Sequence, residues 1–106
     1  MNEIITLNEV MNKGNQIHLY FNGFIGLYAA YGYSAYLLSK VTEGNGSFSD
    51  DMQMPVVVIN PAHVDEVKEQ LNVVKESRGY FCLESKEKVD EAEYAEWVKN
   101  IRSNKA

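Results

Sequence analysis

Met54-Pro55-Val56-Val57-Val58-Ile59-Asn60-Pro61-Ala62-His63 reads as a short buried strand that passes directly into a capped helix. Val56 to Ile59 are β-branched and apolar, too short a run for a helix and suited to a strand covered on both faces. Asn60 offers a side-chain acceptor to the first free N–H groups of a helix. Pro61 fits the first helical position, where a missing N–H costs nothing. Val64, Val67, Leu71 and Val74 continue at helical spacing, and a second apolar strand, Tyr80 to Leu83, follows Gly79. This strand-helix-strand order predicts an α/β fold in which residues 56–59 and 80–83 are neighbouring or near-neighbouring strands joined by a right-handed crossover.

Upstream, Thr6 is placed to cap a short helix with Leu7, Val10 and Met11 on one side, and Gly14 to end it. Ile17 to Phe21 reads as a strand. Asn22-Gly23 is a two-residue hairpin signal, because both positions tolerate positive φ, and Phe24 to Tyr31 returns as the second strand. Gly26 within it marks a bulge or a close backbone approach. Ser34 can cap a helix to about Val41 with Ala35, Leu38 and Val41 inward. Residues 43–53, rich in glycine, serine and acids, read as a flexible connector within one domain. Downstream, Ser85 can cap a terminal helix over about 85–103 with Val89, Ala92, Ala95, Val98 and Ile101 as its apolar stripe and Tyr94 and Trp97 beside it. The expected architecture is α-β-β-α-β-α-β-α with a mixed sheet of four to five strands, in a single domain covering 1–106.

The chain has 106 residues, 45% of them hydrophobic, enough to bury a core without disulfides or metal. Its one cysteine, Cys82, has no internal partner, so a cytoplasmic setting is the expectation. No apolar run approaches the roughly 20 residues that span a bilayer. The net charge of −5 lacks the basic footprint of most nucleic-acid-binding modules. His18 and His63 have no second ligand at metal spacing. The glycines form neither a dinucleotide fingerprint nor a P-loop. Glu87, Glu91 and Glu96 read as a solvated helix face beside Lys and Arg. No catalytic residue, metal or cofactor is expected on this basis, and the chain reads as a non-enzymatic binding module. The dense aromatics between Tyr20 and Tyr36 pack under helices or in an interface, or stack bases on an open sheet face.

Leu27-Tyr28-Ala29-Ala30-Tyr31-Gly32-Tyr33-Ser34-Ala35 lies without gaps on a hairpin-to-helix pattern like FYELFGEDA. Asn60-Pro61-Ala62-His63, Gly79-Tyr80 and Phe81-Cys82-Leu83-Glu84 follow in the order of a V-P-x-H helix start, a glycine and a strand like V-A-I-C-E. On these residues the chain resembles, over 6–84, the N-terminal mismatch-recognition domain of bacterial MutS proteins. The resemblance implies a fold of that type and nucleic-acid contact at the hairpin end, through Phe24, Leu27, Tyr28, Ala29 and Tyr31. Leu27 and Ala29 stand where that family has the Phe that stacks on a mispaired base and the Glu that hydrogen-bonds it; a shifted register brings Phe24 to the aromatic position and Gly26 to that of the Glu. The expected partner is therefore a protein or a second copy of the chain, with nucleic acid as the alternative that the resemblance carries.

Overall fold

A computed structural model describes residues 2–42 and 46–103. In chain order the elements are α1 (Asn2–Val10), β1 (Gln16–Asn22), β2 (Leu27–Tyr31), α2 (Gly32–Val41), β3 (Ser47–Ser49), β4 (Met54–Ile59), α3 (Pro61–Gln70), β5 (Asn72–Ser77), β6 (Tyr80–Glu84) and α4 (Glu91–Ser103). The fold is α/β, as expected. The strands form one six-stranded sheet in the order β3-β4-β2-β1-β6-β5, and every neighbouring pair is antiparallel.

The β4–α3 junction forms as its residues dictate. Asn60 Oδ1 accepts the Ala62 N–H at 2.9 Å, and Pro61 occupies the first turn. Beyond it the expectation fails in an informative way. The helix stops at Gln70, Leu71 is extended, and Asn72–Ser77 forms an additional strand at the sheet edge. Leu71 stays buried, while Val74 lies on β5 and is more than half exposed. Strands β4 and β6 are not neighbours: β2 and β1 lie between them, and alternation of direction makes β4 and β6 antiparallel. The strand-helix-strand unit is instead β4-α3-β5, whose two strands run the same way with three strands between them. The sheet is thus antiparallel rather than mixed, and has six strands rather than four or five. The extra strands are β3, inside the expected connector, and β5. Of that connector, residues 43–45 lie outside the described residues.

The hairpin pairs as expected, with Tyr20 opposite Ala29 and Asn22 opposite Leu27. Its connection is longer than two residues. Residues 23–26 form the turn, the Gly26 N–H donates to the Asn22 carbonyl at 2.9 Å, and Gly26 adopts φ +68. Gly26 therefore ends a turn, not a bulge in a strand. Strand β4 is covered fully on one face only: Val57 and Ile59 are buried and Val58 is 39% exposed. The buried face of the sheet carries Ile17, Leu19, Ala30, Val57, Ile59 and Leu83, against which Leu37 and Leu38 of α2 and Val64 and Val67 of α3 pack.

Helix α4 begins at Glu91, later than expected. Asp90, not Ser85, caps it, accepting the Ala92 and Glu93 N–H groups at 2.9 and 3.2 Å. Its inner face is Ile101 with Trp97 and Tyr94, whose rings meet Tyr33 and Tyr36 of α2 edge-on. Ala92 and Ala95 are exposed.

Helix α1 starts at Asn2, upstream of Thr6, and is turned the other way from the expected stripe. Ile5 and Glu9 face inward, while Ile4, Leu7, Val10 and Met11 are each more than half exposed. The inward carboxyl explains the orientation. Helix α2 has Tyr31 at its N-cap with no side-chain cap of its own, and Ser34 lies inside the helix. Glu9 supplies the cap from another element: its Oε1 accepts the Ser34 N–H at 3.2 Å, and its Oε2 accepts the Ser34 Oγ–H at 2.6 Å. A carboxylate at a helix N-terminus satisfies free donors and complements the dipole. Ser34 Oγ in turn accepts the His18 N–H at 2.9 Å, so this buried network ties α1, α2 and β1 together.

Burial of Glu9 nevertheless outweighs these hydrogen bonds and holds its carboxyl above the usual 4.5. The folded state therefore favours the protonated form more than the unfolded chain does. The stability this supplies is complete below pH 4.5 and is lost as pH rises through the elevated folded value. Urea denaturation of the wild type and of Glu9→Gln, which does not titrate, is expected to show the wild type losing ground from pH 4.5 upward and then levelling. A constant difference across that range would contradict this assignment.

Candidate functional site

The residues singled out at the hairpin separate by the pleat. Tyr28 points to the core side of the sheet, where its ring meets Phe21 at 5.2 Å and Phe81 at 5.3 Å. Leu27, Ala29 and Tyr31 alternate with it on the opposite face, on which α1 lies. Ala29 is buried there, and Leu27 and Tyr31 are half-buried. Phe24 sits at the hairpin tip with its ring fully exposed, beside exposed Ile25. Asn22 holds this tip in place: its Oδ1 accepts the Phe24 N–H at 3.0 Å.

Three of the five residues, Phe24, Ala29 and Tyr31, border one cavity of about 380 Å³. Its other walls are Ile5 from α1 and Tyr20 from β1, and residues 21–24 close the hairpin end. The volume falls in the lower part of the roughly 300–1,000 Å³ range of ligand pockets. No Asp, Glu, Lys or Arg lines it. Burial pushes the Tyr20 hydroxyl up to about 12, although it accepts the Asn8 Nδ2–H at 2.9 Å, and burial also raises Tyr31. Both phenols are neutral at physiological pH. The site is an uncharged, aromatic-walled recess that suits an apolar or aromatic group and offers no counter-charge to a phosphate.

Lys40 and Lys68 lie away from this recess. Lys40 pairs with Glu93 at 3.5 Å and covers the Tyr36 ring, and Lys68 pairs with Glu76 at 2.9 Å and covers Phe81. A second groove, between the C-terminal ends of α2 and α3, has an apolar floor of Leu37 and Leu71. Its rim mixes Lys40 and Lys86 with Glu69 and Glu87, which leaves no single sign of charge there.

His18, Tyr80 and Cys82 form a polar cluster on the α1 side of β1 and β6. His18 Nδ1 lies 2.7 Å from the Tyr80 hydroxyl, and Cys82 is the cross-strand partner of His18. His18 Nε2 is buried without a hydrogen-bond partner, and burial holds the imidazole below its usual 6.5. Burial also raises the Cys82 thiol, which opposes the thiolate that a nucleophile needs. Exposed His63 stands in the first turn of α3. Among the described residues no group of three His, Cys, Asp or Glu side chains could hold a metal ion, and no helix is long and apolar enough to cross a membrane.

The sequence singles out Phe24, Ala29 and Tyr31 but not Ile5, whose place in the recess depends on how α1 is turned. The exposed stripe of Ile4, Leu7 and Met11 is visible as an i, i+3, i+7 pattern, with nothing local to show that it faces out. No family model, curated protein or solved structure matches this chain.

Proposed function

We infer that this domain is a non-enzymatic module for protein association, working in the cytoplasm, with the hairpin tip and the recess behind it as the contact surface. The observation that carries this reading is the fully exposed Phe24 ring, presented with Ile25 on a turn pinned by Asn22. Aromatic anchors on a rigid support supply much of the energy of protein interfaces. The outward stripe of α1 adds apolar surface of the same character. The single, buried Cys82 suits a reducing compartment.

Nucleic acid is the second reading, favoured by the same exposed ring, since a free aromatic face can stack an unpaired base. The uncharged recess and the net charge of −5 weigh against it.

A photo-crosslinking amino acid at position 24, expressed in the native cell and compared with the same group at exposed Lys99, tests the reading. Discrete protein adducts specific to position 24 are expected. Their absence, together with low-salt binding to duplex or single-stranded nucleic acid that Phe24→Ala weakens, would transfer the assignment to nucleic acid.

A further inference from the structure

We propose that the association surface is self-complementary, and that two copies of this chain pair by each inserting Phe24 into the other's hairpin recess. The inference rests on the association reading and names its partner.

The patch contains both halves of a contact. Phe24 is a free apolar knob. The recess walled by Ile5, Tyr20, Ala29 and Tyr31 is a hole of about 380 Å³. The ring does not fill its own recess, because it stands at the rim with its whole surface exposed. With knob and hole in one patch, a two-fold pairing makes the contact twice, which is the isologous arrangement of closed dimers.

Charge points to the same surface. Each copy carries −5, so two copies repel wherever carboxylates meet. The recess and tip present no Asp, Glu, Lys or Arg, and an uncharged knob meets an uncharged hole there without desolvating an ion.

The other common route to a β-sheet dimer, pairing of sheet edges, is obstructed. Strand β5 has a register shift between Val73 and Lys75, and its Glu76 is tied to Lys68. Strand β3 has three residues, and the Arg102 guanidinium lies 4.5 Å above the Phe48 ring within it. Bulges, charges and short length are the usual obstacles to edge pairing.

Sedimentation velocity on the whole chain, from low micromolar to near-millimolar concentration, tests the proposal. The wild type is expected to shift from monomer to dimer and no further. Phe24→Asp, at an exposed position that leaves the core intact, is expected to weaken the dimer at least about a hundredfold. Val74→Asp, on the edge strand β5, is expected to leave it unchanged. A wild type that remains monomeric throughout, or a dimer lost in Val74→Asp and retained in Phe24→Asp, overturns the proposal. Position-24 adducts to other proteins from a monomeric chain would leave the association reading standing and refute self-pairing alone.

Discussion

Leu38→Ala is expected to destabilise the domain by about 2–5 kcal/mol, the range for truncating a well-packed core leucine. Leu38 has no exposed surface and lies in the cluster joining α2 to Ile17, Leu83 and Val57. Alanine is the better helix former, so local propensity cannot account for a loss, and the effect reports lost burial together with the cavity. A domain of this size has about 5–15 kcal/mol in total, so the loss is a large share of it. Urea denaturation should show a lower midpoint with an unchanged slope. A midpoint within error of the wild type would mean that α2 packs loosely on the sheet.

Gly32→Val is expected to cost a similar amount for a different reason. Gly32 has φ +59, where an L-residue loses roughly 1–2 kcal/mol. A Cβ there would meet Glu9 Oε1 at 3.2 Å and the Met54 sulfur at 3.4 Å. Crowding of this kind adds about 1–3 kcal/mol. The substitution therefore strains the backbone and displaces the carboxyl that caps α2. Gly32→Ala should show a smaller loss of the same sign. If both variants melt with the wild type, Glu9 does not hold the position described for it.

The legible parts of this fold are those determined by neighbours in sequence. Asn60 and Pro61 start α3 here because an acceptor and a residue without an N–H satisfy its first turn locally. The hairpin follows from Asn22-Gly23 between two apolar runs, although the sequence placed Phe24 at the start of the returning strand and the structure places it in the turn. The segment Leu71 to Val74 was ambiguous for a physical reason. Leu71 and Val74 fit the helical stripe of α3, yet the β-branched pair Val73 and Val74 also suits a strand, and an exposed edge strand shows no clean alternation of burial to separate the two.

By itself the amino-acid sequence determined the α/β class, the hairpin, the β4–α3 junction, strand β6 and the net negative charge, all set by local conformational preference or composition. The tertiary structure alone decided which strands pair, which way α1 turns and where the recess lies. Strand order is a choice among distant segments that local propensity does not constrain. Helix α1 has apolar residues on more than one side, and its orientation follows from Glu9 reaching the free N–H groups of α2, a helix more than twenty residues away in sequence. The recess is assembled from α1, β1, β2 and the hairpin tip, so it exists only once these elements have packed.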